Sequence, residues 1–452
     1  MTEVAARGEE LLPLAERLLG LAAAAGATEA EVLAMGDDSA LTRFANSEIH
    51  QNVAEQNLQL SLRFVDGRRV GVVSSNRTDD DALRDLADRA AAVARNSAEL
   101  EGWAGLPERT SIAPIDAAYS PSTAGASPEL RAEQARAVIA AADESDVVAY
   151  GSFATGTESI AVANSKGIRA AQVRTTSQLI TVSMDPDGGS GYAESAAVDA
   201  STIDGAALGR EASAKAKASS HAVAVEPGDY PVVLEEYAVV DILDMLGYLG
   251  FSALAVEEGR SFAEPGRRIG AESVSIWDDG RDPSGLPMAF DYEGVAKERV
   301  SLVESGVCRD VVYDAQTAGR AGRRSTGHGL PAPNPYGPFP INMFMAAGSA
   351  SRDELLGGLG RGLLVTRFHY TNPVHPKLAI ITGMTRDGTF LVEDGKIVAP
   401  VRNLRYTQSY LDALAGVEAI GRDRKTLRGF LGGAVVPALR IAAWTFTGAT
   451  EH

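Results

Sequence analysis

Asp241 and Asp244 stand three residues apart in "VVLEEYAVVDILDMLGYLGFSAL" (232–254), a spacing that places both carboxylates on one side of a helix. Paired carboxylates can hold a cation, but two aspartates alone leave a tetrahedral or octahedral shell incomplete. A solvated acidic stripe or an interface stripe is the simpler expectation. Further ligands are scarce: the six histidines are His50, His221, His328, His369, His375 and His452, and none is followed by glutamate. His369 and His375, in "HYTNPVHP", flank a proline-broken turn and would need a third ligand from distant sequence. The single cysteine, Cys308, lies in an apolar run and reads as a buried structural thiol. "GGSGY" (188–192) has the spacing of a nucleophile elbow but falls between two strand-like runs, not between a strand and a helix. "GGLGRG" (357–362) follows a helix and precedes a strand, the reverse of a phosphate cradle.

The elements that must position these residues follow from periodicity. Val239, Val240, Leu243, Leu246 and Leu249 recur at spacings of three and four, so "DYPVVL" is expected to be a short strand running into an amphipathic helix. The first half carries an internal duplication: a helix, strand-like runs, then a helix, twice over. "NLQLSLRF" and "SQLITVSM" alternate with period two, as half-buried antiparallel strands do. Ala-Asn-Ser recurs between strand-like runs at 45–47 and 163–165 and predicts a turn in each copy. "YSPSTAGASPE" (119–129) reads as the linker between copies. Beyond about 228 short apolar runs alternate with Gly, Pro and Asp, with turns expected at "RDGTF" and "EDGK" and short helices at 351–359 and 408–416. The expected fold is α+β: a first repeat over 1–118, a second over 119–225 and a strand-rich β domain over 226–452.

Composition narrows the function classes. The 452 residues are 45% hydrophobic and 23% charged, with a net charge of −18 and no arginine- or lysine-rich stripe, so direct binding of nucleic acid is not expected. A lone cysteine fits a reducing compartment. No basic segment leads an apolar core at the N-terminus and no run is long enough to span a bilayer, so a cytoplasmic protein without membrane contact is the expectation.

Several ordered segments give the chain a family resemblance. Residues 291–329, "DYEGVAKERVSLVESGVCRDVVYDAQTAGRAGRRSTGHG", resemble the TldD/PmbA family's stretch from Asp-x-Glu-Gly to Ser-Thr-Gly-His/Asn. "GRGLLVTRF", then "TGMTRDGTFLVEDGKIVAPVRNLRYTQS" (382–409) and "VVPALRIAAWTFTG", follow in the family's order. The resemblance implies one of two branches. TldD-like members carry His-Glu-x-x-x-His on a helix and a later cysteine that together hold a catalytic zinc. PmbA (TldE)-like members lack these residues and pair with a TldD-like chain in a heterodimeric metalloprotease acting on unfolded or short peptides, leader peptides and antitoxins among them. Aligned without gaps from Val232 to Ser261, the motif falls on Asp244 (first histidine), Met245 (general base) and Leu249 (second histidine). Methionine cannot take a proton from water and leucine cannot bind a metal. Cys308 does not stand where the family's ligating cysteine lies, beyond residue 400.

The resemblance therefore implies a non-catalytic subunit with no metal of its own, zinc being expected in the TldD-like partner. The subunit would form a heterodimer, or a homodimer without that partner, and would meet an extended peptide. The Pro/Gly-rich segment "STGHGLPAPNPYGPFPINMF" is expected to lie over a groove, with Ser325, Thr326, His328, Asn334, Tyr336 and Asn342 as its contacts. Two rivals stand beside this: a stand-alone metallopeptidase using Asp241, Asp244, His369 and His375, and a homodimeric peptide-binding protein without catalysis.

Overall fold

The computed structural model describes residues 3–430 and 432–449, with side chains from residue 10 onward. Its first half holds the duplication. The first copy runs α1 (Glu3–Ala24), β1 (Glu29–Ala45), β2 (Glu48–Asp66), β3 (Arg69–Ser75) and α2 (Asp80–Asn96). After a short helix, α3 (Pro121–Ala124), the second runs α4 (Pro128–Asp143), β4 (Val148–Asn164), β5 (Arg169–Met184), β6 (Ser190–Ala197) and α5 (Gly205–Ala218). The copies share one antiparallel sheet in the order β3-β2-β1-β4-β5-β6, symmetric about the β1–β4 pair, which extends from Glu31 opposite Asn164 to Phe44 opposite Gly151.

Each copy lays its last helix on its edge strand by the same device. A Cβ at Gly71 of β3 would lie 2.4 Å from the Ala90 carbonyl of α2, and one at Gly191 of β6 would lie 2.0 Å from the Ala212 carbonyl of α5. Only glycine admits that approach. The Ala-Asn-Ser turns differ. Asn46 and Ser47 both take positive φ, 52° and 56°, in the two-residue turn that matches strand twist. The second turn is longer and passes its positive φ to Gly167.

The second half is strand-rich. It comprises β7 (Gly228–Leu234), α6 (Glu236–Leu249), α7 (Ala253–Glu257), β8 (Ile276–Asp278), β9 (Val300–Glu304), β10 (Val307–Cys308), α8 (Ala315–Arg320) and β11 (Asn342–Met345). Then follow α9 (Arg352–Gly357), β12 (Arg361–His375), β13 (Ile380–Glu393), β14 (Lys396–Pro400), β15 (Leu404–Ser409), α10 (Tyr410–Ala415), β16 (Val417–Arg428) and β17 (Gly433–Ala449). The sheet order is β10-β9-β8-β11-β17-β15-β13-β12-β7, and β7 also pairs with β17. Five strands, β17, β15, β13, β12 and β7, thus close on themselves, which removes their free edges. Trp444 fills the interior, stacked on Phe368 at 4.8 Å and flanked by Tyr406 at 5.3 Å and Tyr410 at 5.6 Å. Cys308 is fully buried, and burial pushes its thiol up to about 11, as an inert structural cysteine requires. Among the described residues no helix is long and apolar enough to cross a membrane.

Two expectations are corrected. Asp387-Gly388 in "RDGTF" makes no hairpin: β13 runs straight through it, and the register against β12 shifts there instead. Positive φ at Asp387 (55°) and Gly388 (123°) serves a bulge as well as a turn, and the buried Asp387 carboxylate takes the Arg367 Nε–H at 2.6 Å. "EDGK" does turn, with Asp394 and Gly395 at positive φ between β13 and β14. The stretch 119–129 is no free linker either. Thr123 is buried, its Oγ donating to the Val198 carbonyl at 2.7 Å, and Ser127 caps α4. The irregular connection lies earlier, between α2 and α3, and runs against the second half, where Thr110 Oγ accepts from Ala296 N at 3.1 Å.

Candidate functional site

Helix α6 holds the positions onto which the metal motif falls, Asp244, Met245 and Leu249. Its first residues are fixed electrostatically. Glu235, just ahead of the helix, is buried and accepts from Lys215 Nζ of α5 and an Arg352 guanidinium nitrogen of α9, both at 2.6 Å. These two cations outweigh the cost of burial and hold its carboxyl below the usual range. Val239, Ile242, Leu243, Leu246 and Leu249 face the core. The opposite side carries Asp241, Asp244 and Met245, half-buried, and Tyr248, exposed.

Of the two expectations for Asp241 and Asp244, a solvated stripe or an interface stripe, the structure excludes the first, since both are half-buried and hydrogen-bonded within the chain. Asp241 Oδ1 accepts from Tyr410 Oη and Oδ2 from Thr371 Oγ, each at 2.7 Å, and Tyr410 Oη lies 2.9 Å from Tyr406 Oη in the barrel core. Asp244 Oδ2 accepts from Phe430 N at 2.9 Å, in the turn between β16 and β17. Burial pushes Asp241 up to about 6 against those two hydrogen bonds. It pushes Asp244 up to about 7, with the Phe430 N–H opposing and the charges of Asp241 and Glu194 adding. The raised folded-state value means the native chain binds more protons than the unfolded chain, so stability falls as pH rises from about 4 through about 7. Asp244→Asn keeps an acceptor for Phe430 N–H and removes the charge. It is expected to stabilise the chain by ~1–2 kcal/mol at pH 8, with little effect at pH 4, in urea titrations. A loss of stability at pH 8 would contradict this account.

The donors around α6 do not make a metal site. Leu249 is buried in the core, Met245 offers only a thioether, and both oxygens of Asp241 are committed to hydroxyls. Among the described residues no three His, Cys, Asp or Glu side chains come together as a ligand set. His375 Nδ1 instead accepts from Leu378 N at 3.3 Å, and the His369 ring packs on Tyr370 at 4.3 Å.

The segment 325–342 proves to be mostly wall. His328 is fully buried: Nε2 faces Asp278 Oδ1 at 2.8 Å and Nδ1 faces Thr326 Oγ at 2.9 Å. Burial, with Lys297 nearby, holds the imidazole below its ordinary value and thus neutral, so it braces the segment and contacts no groove. Asn342 is also buried, donating from its backbone to Asp278 Oδ2 at 2.7 Å and from Nδ2 to the Leu286 carbonyl at 2.8 Å. Ser325 and Thr326 are tied to the backbone of Tyr313. Asn334 closes a local turn, its Oδ1 taking Tyr336 N at 2.9 Å. Of the six expected contacts Tyr336 is the one whose ring meets α6, 6.4 Å from that of Tyr248, while Pro340 packs beside Gly247 of the same helix. Tyr370, Thr371, Tyr410 and Phe430 were missed. Phe430, 76% exposed in "RGFLGG", had the one available signal, a large aromatic beside glycines. Around α6 the surface therefore gathers Tyr248, Tyr336 and Phe430, with Tyr370 on the β12 bulge beside Thr371.

The duplicated antiparallel sheet joined to a closed barrel coincides with the domains of a metallopeptidase family. Three consecutive models of that family match: PmbA/TldA metallopeptidase domain 1 at residues 30–94, the central domain at 121–220 and the C-terminal domain at 227–448. The chain belongs to the PmbA/TldD family. It is 28% identical to a Methanothermobacter thermautotrophicus metalloprotease over 232 residues, 50% of each chain. It is 28% identical to the Escherichia coli O157:H7 metalloprotease PmbA over 158 residues, 34% of this chain and 32% of that one. The matched regions thus span about half or less of those relatives. The fold is shared with TldE from Thermococcus kodakarensis, at a TM-score of 0.88 and 18% identity, covering 96% of this chain and 100% of that one. A Thermotoga maritima candidate modulator of a DNA gyrase follows at 0.83 and 19%, covering 96% and 99%.

Proposed function

We propose that this chain is a TldE-like, non-catalytic subunit of a two-chain TldD/TldE-type zinc metalloprotease. It completes the chamber around a partner's zinc site and helps present an extended peptide. The observation that carries the reading is the fate of the motif positions: Asp244 bound to a backbone N–H, Met245 without a basic group and Leu249 in the core. The residues present do not fit a zinc ion, and no hydrolytic step is assigned to them. The aromatic surface around α6 suits a partner or a peptide better than bulk water does, and unpaired sheet edges can take a peptide backbone without demanding particular side chains.

The test is to express this chain alone, a partner carrying His-Glu-x-x-x-His alone, and the two together, measuring bound zinc and cleavage of an unfolded peptide. The expected result is a stable complex, zinc in proportion to the partner, and cleavage rising strongly only with both chains. Chelator-sensitive cleavage by this chain alone would overturn the reading in favour of atypical ligands. Peptide binding without complex formation or turnover would overturn it in favour of a homodimeric binding protein.

A further inference from the structure

Away from α6, a cavity of about 520 Å³ opens beside β9 and the segment after α8. Its wall holds four arginines, Arg299, Arg309, Arg323 and Arg324, against two carboxylates, Glu298 and Asp310. In a chain of net charge −18 this is a local reversal of sign. Ordinary surface ion pairs account for only half of it. Arg309 is paired with Glu304 at 2.9 Å, and Arg323 donates to both oxygens of Asp310, at 2.8 and 2.6 Å. Among the described residues Arg299 and Arg324 have no carboxylate partner, and the Ser301 hydroxyl in the same wall has no hydrogen-bond partner.

The wall is also pre-arranged. Arg299 lies over the Trp277 ring at 4.7 Å, and that ring is stacked on Phe344 at 5.7 Å. Arg323 lies over Tyr313 at 4.6 Å while Asp310 holds its outer edge. Thr326, in the wall as well, is locked by the Tyr313 backbone and by His328. Arg299, so fixed, loses little entropy on binding, and its guanidinium and that of the unpaired Arg324 match the paired oxygens of phosphate or carboxylate. The cavity is within the size range of small-molecule sites and much larger than a bare ion.

We propose that this cavity is a binding site for a small multivalent oxyanion, a phosphate-bearing or polycarboxylate molecule, held by Arg299 and Arg324 with Ser301 as a neutral donor. None of its lining residues lies on the motif helix.

The test is calorimetric titration of the full chain with inorganic phosphate, pyrophosphate, ribose 5-phosphate and citrate, with sodium chloride at matched ionic strength as the control. Saturable one-to-one binding of at least one oxyanion is expected. Preference for the phosphates or for citrate identifies the source, and either supports the proposal. Arg299→Gln and Arg324→Gln should each weaken binding about tenfold, as loss of one charge-assisted contact implies. Arg136→Gln, an exposed arginine elsewhere, should leave it unchanged. Arg299 and Arg324 are both exposed, so thermal unfolding of the variants should match the parent chain. Binding that is absent, no better than chloride, or equal in the pocket variants and the parent overturns the proposal.

Discussion

Arg63→Met is expected to destabilise the chain by ~3–5 kcal/mol at pH 8 and far less at pH 5, because it strips the cation from a buried pair of carboxylates. Arg63 of β2 lies between Glu31 of β1, at 3.3 Å, and Glu293 of the second half, at 3.2 Å, and all three side chains are almost fully buried. Glu293 Oε2 also takes Ala315 N at 2.8 Å, at the start of α8, so the cluster ties the duplicated sheet to the second half. One guanidinium cannot neutralise two carboxylates. Glu31 Oε2 and Arg63 Nε are left without hydrogen-bond partners among the described residues, and burial, with Glu293 adding and Arg63 opposing, pushes Glu31 up to about 7.

The pH sense follows from that raised value. A carboxyl that titrates higher in the folded chain than in the unfolded one destabilises the native state progressively from about 4.5 upward through about 7. Removing Arg63 raises both carboxyls further. At pH 5 the pair can be protonated at small cost. At pH 8 it must ionise without a partner or take up protons against the solution. Urea unfolding at the two pH values reads the difference directly. An equal loss at both would mean that Arg63 does not act through its charge.

Such clusters mark the limit of what the sequence shows. Periodicity exposes the face of α6, since Leu243, Leu246 and Leu249 keep their spacing wherever the helix lies, and recurring helix–strand–helix order exposes the duplication. Local chemistry goes less far. Asp394-Gly395 and Asp387-Gly388 are the same dipeptide, yet one turns a hairpin and the other bulges a barrel strand, because both need positive φ and only the strand partners differ. Partners distant in the chain are out of reach altogether. Nothing local says that Asp241 meets Thr371 and Tyr410, that His328 is walled in by Asp278, or that the Phe430 N–H meets Asp244. A histidine in a Pro/Gly-rich segment looks available until the side chain fifty residues earlier is placed against it.

The same long-range pairing makes Lys215→Met the second test with a large expected effect, about 2–4 kcal/mol near neutral pH. Lys215 is buried on α5 and donates to Glu235 at 2.6 Å and to Glu211 at 2.7 Å, joining the duplicated region to the residue that starts α6. Tyr237 Oη and Lys425 Nζ extend the network, Lys425 reaching Glu211 Oε2 at 3.0 Å and Tyr237 Oη at 2.6 Å. Without Lys215, Glu235 keeps only Arg352, whose side chain is largely in solvent and offsets burial poorly. Here the sign is opposite to that of Arg63. Although burial alone would raise them, the cations hold Glu235 below its usual range and Glu211 down at about 2. Their stabilisation is therefore fully present above about 4.5 and lost as pH falls toward about 2. Lys215→Met should flatten that acid limb, costing most at pH 7 and little at pH 3. Adding Glu235→Gln should recover part of the loss, since the cost comes from a stranded buried charge and not from the missing ammonium itself. A double variant less stable than Lys215→Met would show instead that Glu235 earns its place through Arg352 alone, and that α6 is anchored from the α9 side.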